Sequence, residues 1–175
     1  MQYVVDTASV YFGKIGTINP KELSNLESHL LGVTRDAIKV EIKPNIKEVD
    51  FNGRKGRKVK DMNRILGWEA KAECETLEFT EKVLTASMFV KSDAKYVPAK
   101  DMSYNDVVLV GKVHGTSNPI IIHLKNAYNG EGLSFEQKDG EESGFKMAFV
   151  ATYEPDSDDA PVDVYMPEST FKLNE

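Results

Sequence analysis

Two clusters of opposite charge contain the residues best suited to electrostatic contact. Between positions 54 and 64 the chain carries six bases against one acid, and between 154 and 163 it carries five acids and no base. The bases are Arg54, Lys55, Arg57, Lys58, Lys60 and Arg64. Because the net charge is −6, the rest of the chain is acidic, which favours a complementary contact over general affinity for nucleic acid. A solvated loop is the alternative interpretation of the basic cluster.

The acidic cluster begins like a calcium-binding loop but does not continue as one. Its aspartates are Asp156, Asp158, Asp159 and Asp163. An EF-hand loop that began at Asp156 would need glycine at its sixth position and glutamate at its twelfth, where this chain has Pro161 and Pro167. We therefore interpret the segment as an acidic turn that complements the basic cluster.

The side chains that most often perform catalysis are isolated from one another. The chain has no Gly-x-Ser-x-Gly elbow, no Gly-x-x-x-x-Gly-Lys loop and no Gly-x-Gly-x-x-Gly turn. His29, His114 and His123 form no pair with metal-ligand spacing. Cys74 alternates with apolar residues, which is typical of a small core residue and not of a nucleophile. The sequence predicts a protein that is not an enzyme and holds no metal or cofactor.

Alternation of apolar and polar residues predicts the strands that position these clusters. Residues 68–76 form one long predicted strand with a polar face of Glu69, Lys71, Glu73 and Glu75. Two hairpins are predicted, at 107–114 with 120–127 and at 133–138 with 145–153, followed by a last strand at 162–166. Earlier, we predict a strand at 37–42 that Pro44 ends, a short strand at 49–51, and a return to strand near Ile65.

Helices are predicted at two places. Thr80 is a suitable N-cap for a helix over 80–90, with a loop at 91–104. Asn19 and Pro20 favour a short helix that carries Leu23, Leu26 and Leu30 and stops at Gly32, within an N-terminal segment at 1–32. The basic cluster then lies in an extended loop at 53–64, between two strands. These elements predict a single domain over 1–175, an antiparallel β-sandwich or barrel with one short flanking α-helix.

Composition limits where such a chain works. The N-terminus has no basic and apolar leader, and the longest apolar run, Ile120–Ile122, is far too short to span a bilayer. The single cysteine rules out a disulfide within one chain. These features predict synthesis in the cytoplasm, without a membrane anchor.

Segments from Leu31 to Pro167 resemble the major tail tube proteins of siphophages. The most specific is Leu-Gly-Val-Thr-Arg-Asp-Ala-Ile-Lys-Val-Glu-Ile-Lys-Pro at 31–44. The others, in the same order and spacing, lie at 49–60, 67–70, 77–80, 107–113, 119–127 and 151–156. None of them is a functional motif alone, so the resemblance depends on their order.

The resemblance implies a tail-tube-like fold and a structural role in the virion. Six copies would close into a ring, and rings would stack into a hollow tube that conducts the genome. The basic loop at 53–64 occupies the place of a loop that commonly reaches a neighbouring subunit in this family. Other implied partners are the tape measure, tail terminator and distal tail proteins, and DNA would pass without specific binding.

The lining of such a tube must not retain DNA. A basic lining would hold phosphates through counterion release, whereas an acidic or mixed lining would let the duplex pass. The face of Glu69, Lys71, Glu73 and Glu75 is therefore the candidate for the lumen, although the polar faces of the two later hairpins compete with it. Alternatives from other classes are a nucleic-acid-binding β module that uses the basic loop, a carbohydrate-binding β-sandwich, and another tail protein such as a terminator.

Overall fold

A computed structural model describes residues 5–22, 26–53, 55–114, 119–137 and 139–166. This part of the chain has ten strands, all paired antiparallel, one α-helix and one 3₁₀ helix at Glu27–His29. The strands are β1 Val5–Lys14, β2 Thr34–Glu48, β3 Asn63–Thr76, β4 Phe89–Ser92, β5 Lys95–Pro98, β6 Asn105–Val113, β7 Pro119–Asn129, β8 Ser134–Phe135, β9 Phe145–Val150 and β10 Val162–Tyr165. The helix, α1, is Glu81–Ala86.

The main sheet has two halves that share strand β7. In one half β7 pairs with β6, which pairs with β1, and β10 pairs with β7 over residues 121–124. In the other half β2 pairs with β3, β3 with β9, and β9 with β8. Tyr128 and Asn129, at the end of β7, pair with β9 and join the halves. β4 and β5 form a separate two-stranded sheet.

The core lies where the inner faces of the two halves meet. Phe12 of β1 and Phe149 of β9 are both buried, and their ring centroids lie 6.0 Å apart. Further buried side chains come from both halves and from α1, among them Val10, Leu109, Leu124, Ala72, Cys74 and Val83. The arrangement is sandwich-like, and the prediction of a mostly β, antiparallel fold with one short helix is confirmed.

A bend in β7 lets one strand serve both halves. Asn126 has a φ of 48°, and the pairing with β6 is irregular next to it. The Asn126 N–H donates to Asp106 Oδ1 at 3.3 Å, and the Gly16 N–H donates to Asp106 Oδ2 at 3.0 Å. The buried Asp106 carboxylate therefore ties the turn after β1 to the bend in β7. Burial opposes its ionisation, but the nearby His123 and these two N–H groups hold its pKa below the ordinary value.

Several predicted boundaries are wrong at the start of the chain. The sequence did not predict β1, which pairs with β6 along its length. The predicted helix before Gly32 is only a 3₁₀ turn at Glu27–His29 in the described residues, and its Leu23 lies outside them. Pro44 does not end the strand, because β2 continues to Glu48 as an edge strand, where a missing N–H is tolerated. Phe51 lies beyond that strand.

The helix and the loop after it also differ from the prediction. Thr80 is the N-cap, and its hydroxyl accepts from the Val83 N–H at 3.3 Å. However, α1 ends at Ala86 and not at 90, and Met88 has a positive φ of 61° that a helix does not allow. Part of the predicted loop at 91–104 is the hairpin of β4 and β5. Its tight turn is made possible by Asp93, with a φ of 55°.

The later hairpins follow the predictions more closely. β6 and β7 pair as expected, with His123 opposite Val108. Both strands of the second hairpin are shorter than predicted. β8 has only two residues, and β9 ends at Val150. The last strand, β10, confirms the prediction at 162–166 to within one residue.

Asp106→Asn should lower the free energy of unfolding by about 1–3 kcal/mol, because an amide cannot accept from both backbone N–H groups as a carboxylate does. Urea unfolding at pH 7 measures this loss. Since the pKa of Asp106 is lowered in the fold, its stabilisation is present above the carboxyl's ordinary pKa and is lost as pH falls through the lower, folded value. The difference in free energy of unfolding between wild type and variant should therefore become smaller below about pH 4. Asp101→Asn, at an exposed position, is the control; an equal loss there would contradict the assignment.

Candidate interaction hairpin

Strands β2 and β3 extend far beyond the rest of their sheet. β9 pairs with β3 only from Lys71 to Thr76, whereas β2 follows β3 out to Asn63. Residues 43–48 and 63–68 therefore form a two-stranded ribbon, joined at its tip by residues 49–62. We call the whole segment 43–68 the projecting hairpin. At about 3.3 Å per residue the ribbon alone extends for roughly 20 Å.

Both faces of the ribbon are open to solvent. The consecutive residues 43–47 are all exposed, and consecutive residues of a strand point to opposite faces. Ile65 is 59% exposed and Leu66, which forms a bulge in β3, is 63% exposed. The other large apolar side chains exposed on the projecting hairpin are Ile46, Phe51, Met62 and Trp68. An isolated two-stranded ribbon is only marginally stable in water, and exposed apolar side chains grouped in this way are typical of interaction surfaces.

The tip carries most of the basic cluster. Lys55, Arg57, Lys58 and Lys60 are exposed in the segment between the strands, and Arg54 lies outside the described residues. Positive φ angles at Gly53, Lys55 and Gly56 produce tight turns at the start of this segment. Arg64 lies in β3 opposite Lys47, and Lys58 Nζ lies 3.5 Å from the Glu48 carboxylate. The predicted extended loop therefore forms the end of the ribbon.

Tyr153 fixes the base of the projecting hairpin. The Trp68 N–H donates to Tyr153 Oη at 2.7 Å, and the Ala151 N–H donates to the Ala70 carbonyl at 3.0 Å. At Gly67 a side chain would have its Cβ only 3.2 Å from Tyr153 Oη, so glycine lets the phenol reach the strand. The segment after β9 thus continues along the edge of β3 and orients the ribbon where it leaves the body.

The acidic segment 154–163 follows Tyr153 directly and lies at the same end of the sheet as the hairpin base. The Asp163 carboxylate forms an ion pair with Lys125 Nζ at 2.8 Å, and the Lys125 backbone N–H donates to the Pro161 carbonyl, also at 2.8 Å. Asp156, Asp158 and Asp159 are exposed. A contact between this segment and the basic cluster of another copy stays a prediction.

The outer face of the β2, β3 and β9 sheet has mixed charge. Glu69, Lys71, Glu73 and Glu75 share this face, as predicted, and lie opposite Lys43, Glu41, Lys39 and Arg35 of β2. The Lys71 ammonium lies 2.6 Å from Glu73, which lowers the pKa of Glu73 and raises that of Lys71. Hydrogen bonding to Lys43 likewise lowers the pKa of Glu41. At neutral pH this face therefore consists of alternating, mutually neutralising charges.

Burial raises the pKa of Cys74 to about 12, so its thiol stays protonated at neutral pH. His123 Nε2 lies 3.5 Å from the buried Asp106 carboxylate, longer than an ordinary hydrogen bond. Within the described ranges no three His, Cys, Asp or Glu side chains are placed to hold a metal ion. Sequence patterns gave no signal for the Asp106–His123 contact, because it joins different strands.

Comparisons with known proteins give no further guide to the site. No protein-family model matches the chain, and no curated protein is significantly similar to it. Among the described residues, no helix has the length and apolar character that crossing a bilayer requires.

Tyr153→Phe should release the base of the projecting hairpin while it leaves the core intact. The lost hydrogen bond is partly solvent-exposed, so the free energy of unfolding should fall by no more than about 1 kcal/mol. Exchange of the Trp68 amide with deuterium should nevertheless accelerate several-fold, because its acceptor is gone. Tyr104→Phe, at a similarly exposed tyrosine before β6, is the control. Unchanged exchange at Trp68 would show that Tyr153 does not hold the ribbon.

Proposed function

We propose that this protein is the major subunit of a siphophage-type tail tube, in which six copies form a ring and rings stack into a hollow tube. The observation that carries the proposal is the projecting hairpin. It exposes apolar side chains on both faces and ends in a basic tip, on a β body that needs no such extension for its own core. A segment of this kind gains stability when another molecule covers it.

The mixed outer face of the β2, β3 and β9 sheet is consistent with a channel wall. Its lysines and glutamates alternate across strands, with Lys71 and Glu73 in direct contact. Such a face offers few uncompensated positive charges to DNA phosphates, so it would release few counterions and hold the duplex weakly. Glu69, Lys71, Glu73 and Glu75 are therefore the residues we propose for the lumen.

The proposed chemistry is mechanical and electrostatic, with no catalytic step. Rings would be joined by the projecting hairpin, and the genome would pass through the channel without specific binding. A tape measure protein within the tube, with terminator and distal tail proteins at its ends, would complete the list of partners. The protein would be made and assembled in the host cytoplasm and would function in the virion.

Electron microscopy of the purified protein tests the proposal. Concentrated wild-type protein should form long hollow polymers of constant diameter, whereas a nucleic-acid-binding module or a tail terminator should not. Replacing residues 49–62 by a short Asn-Gly turn should abolish the polymers and leave the circular dichroism of the β body unchanged. Persistently monomeric wild-type protein that binds DNA with a steep salt dependence would favour the nucleic-acid-binding alternative and contradict the tube.

Assembly should also protect the projecting hairpin from hydrogen exchange. Residues 55–62 lie between β2 and β3 and most of them are exposed, so in the free subunit their amides should exchange within seconds to minutes. In the polymer their exchange should slow by at least tenfold, while amides of β6 stay protected in both states. Equal exchange at 55–62 in subunit and polymer would mean that this segment does not take part in the contact.

A further inference from the structure

We infer that the projecting hairpin of one copy docks against the opposite end of the same sheet on a second copy. The receiving surface, which we call the aromatic end, consists of Phe79, Phe135 and Phe145 with the acidic loop at 136–142. This inference rests on the proposed function, since it identifies the surface through which stacked subunits would recognise each other.

The aromatic end is an apolar surface built onto the core. Phe145 packs against the core cluster. Phe79 stacks on it with ring centroids 4.9 Å apart, and Phe135 lies at 5.3 Å. Phe79 is 58% exposed and Phe135 is 50% exposed, so two rings supported by a third face solvent. Rigid, supported aromatic rings of this kind are typical anchors of protein interfaces.

The aromatic end and the projecting hairpin lie at opposite ends of β3. Phe145 pairs with Thr76, the last residue of that strand, and the ribbon leaves the body toward Asn63, the first. A 14-residue strand extends for roughly 40 Å, so the hairpin of one chain cannot fold back onto its own aromatic end. A contact between two different surfaces at opposite ends is heterologous and repeats along an axis.

The charges of the two surfaces are complementary. The loop between β8 and β9 contains Glu136, Asp139, Glu141 and Glu142 against a single lysine. Arg35, at the start of the mixed outer face, contacts Glu142 at 3.2 Å. The hairpin tip presents exposed bases, among them Lys55 and Lys60, beside the apolar Phe51 and Met62. Each surface thus combines an apolar patch with a net charge, and the two net charges are opposite in sign.

The acidic segment 154–163 is less well placed to receive an axial neighbour. It follows Tyr153, whose hydroxyl accepts from the Trp68 N–H at the hairpin's own end of the sheet. A neighbour stacked along β3 presents its aromatic end to the hairpin and keeps its 154–163 segment on the far side. In this contact the acidic partner of the basic cluster is therefore the 136–142 loop, in place of the 154–163 segment that the sequence predicts.

Cross-linking between two differently labelled subunits tests this contact. Lys60→Cys subunits are co-assembled with tagged Asp139→Cys subunits and treated with a short bis-maleimide, and mixed dimers are counted on a denaturing gel. The matched control replaces Asp139→Cys by Asp156→Cys, and native Cys74 is buried with a protonated thiol. Mixed dimers should be at least tenfold more abundant for position 139 than for position 156. The reverse ratio, or no mixed dimers in assembled tubes, would overturn the inference.

A second variant tests the apolar part of the contact. Phe135→Ser should slow polymerisation, followed by light scattering, at least tenfold, with a melting temperature close to that of wild type. Val90→Ser, also 50% exposed but on the separate β4–β5 sheet, should polymerise at the wild-type rate. Equal rates for Phe135→Ser and wild type would overturn the inference. If wild-type protein forms no tubes at all, both the proposed function and this inference are wrong. If tubes form without a cross-link between positions 60 and 139, only the inference is wrong.

Discussion

The Asp106 carboxylate is the interaction on which the two halves of the fold depend. One strand, β7, pairs with β6 and β10 in its first part and with β9 at its end, so it must bend between them. The bend costs backbone strain at Asn126, which has a positive φ, and removes regular ladder hydrogen bonds. Asp106, which is itself buried, compensates by accepting partly buried hydrogen bonds from the Asn126 N–H and from the Gly16 N–H.

That bend determines where the projecting hairpin can point. Because β7 passes from one half to the other, β9 and β3 are carried over the face of β1 and β6, where Phe149 meets Phe12. The segment that follows β9 then reaches back along β3 as far as Trp68 through Tyr153. The direction of the ribbon is therefore set by the body of the domain, although the ribbon itself buries almost nothing.

Sequence patterns predicted the elements whose two faces differ. Residues 68–76 and the β6–β7 hairpin were recognised because one side is buried and the other is polar, a contrast that alternation records. β1 was missed because its stability comes from pairing with β6, about a hundred positions away, and short-range patterns carry no trace of it. The hairpin of β4 and β5 was missed because its turn depends on Asp93 in a left-handed conformation.

The sequence predicted the charged residues of the candidate site but not its exposed apolar side chains. The basic cluster is visible in the sequence as a local excess of lysine and arginine. Ile65, Leu66 and Trp68 were taken for ordinary strand residues, because a sequence does not distinguish a buried strand from one that projects into solvent. Phe79, Phe135 and Phe145 are far apart in sequence and meet only through the pairing of β8 with β9 and the packing of the segment before α1.

The balance between charge and apolar contact determines what each part of such an interface does. Exposed ion pairs contribute about 0–1 kcal/mol each and weaken as salt screens them. Covering the exposed part of an aliphatic or aromatic side chain contributes roughly 1 kcal/mol or more, at about 25 cal/mol per Å² of apolar surface. Because six large apolar side chains are exposed on the projecting hairpin, apolar contact contributes more to the free energy of association than the ion pairs do. Charge then governs the rate of encounter and the register, while apolar contact governs how long the subunits stay together.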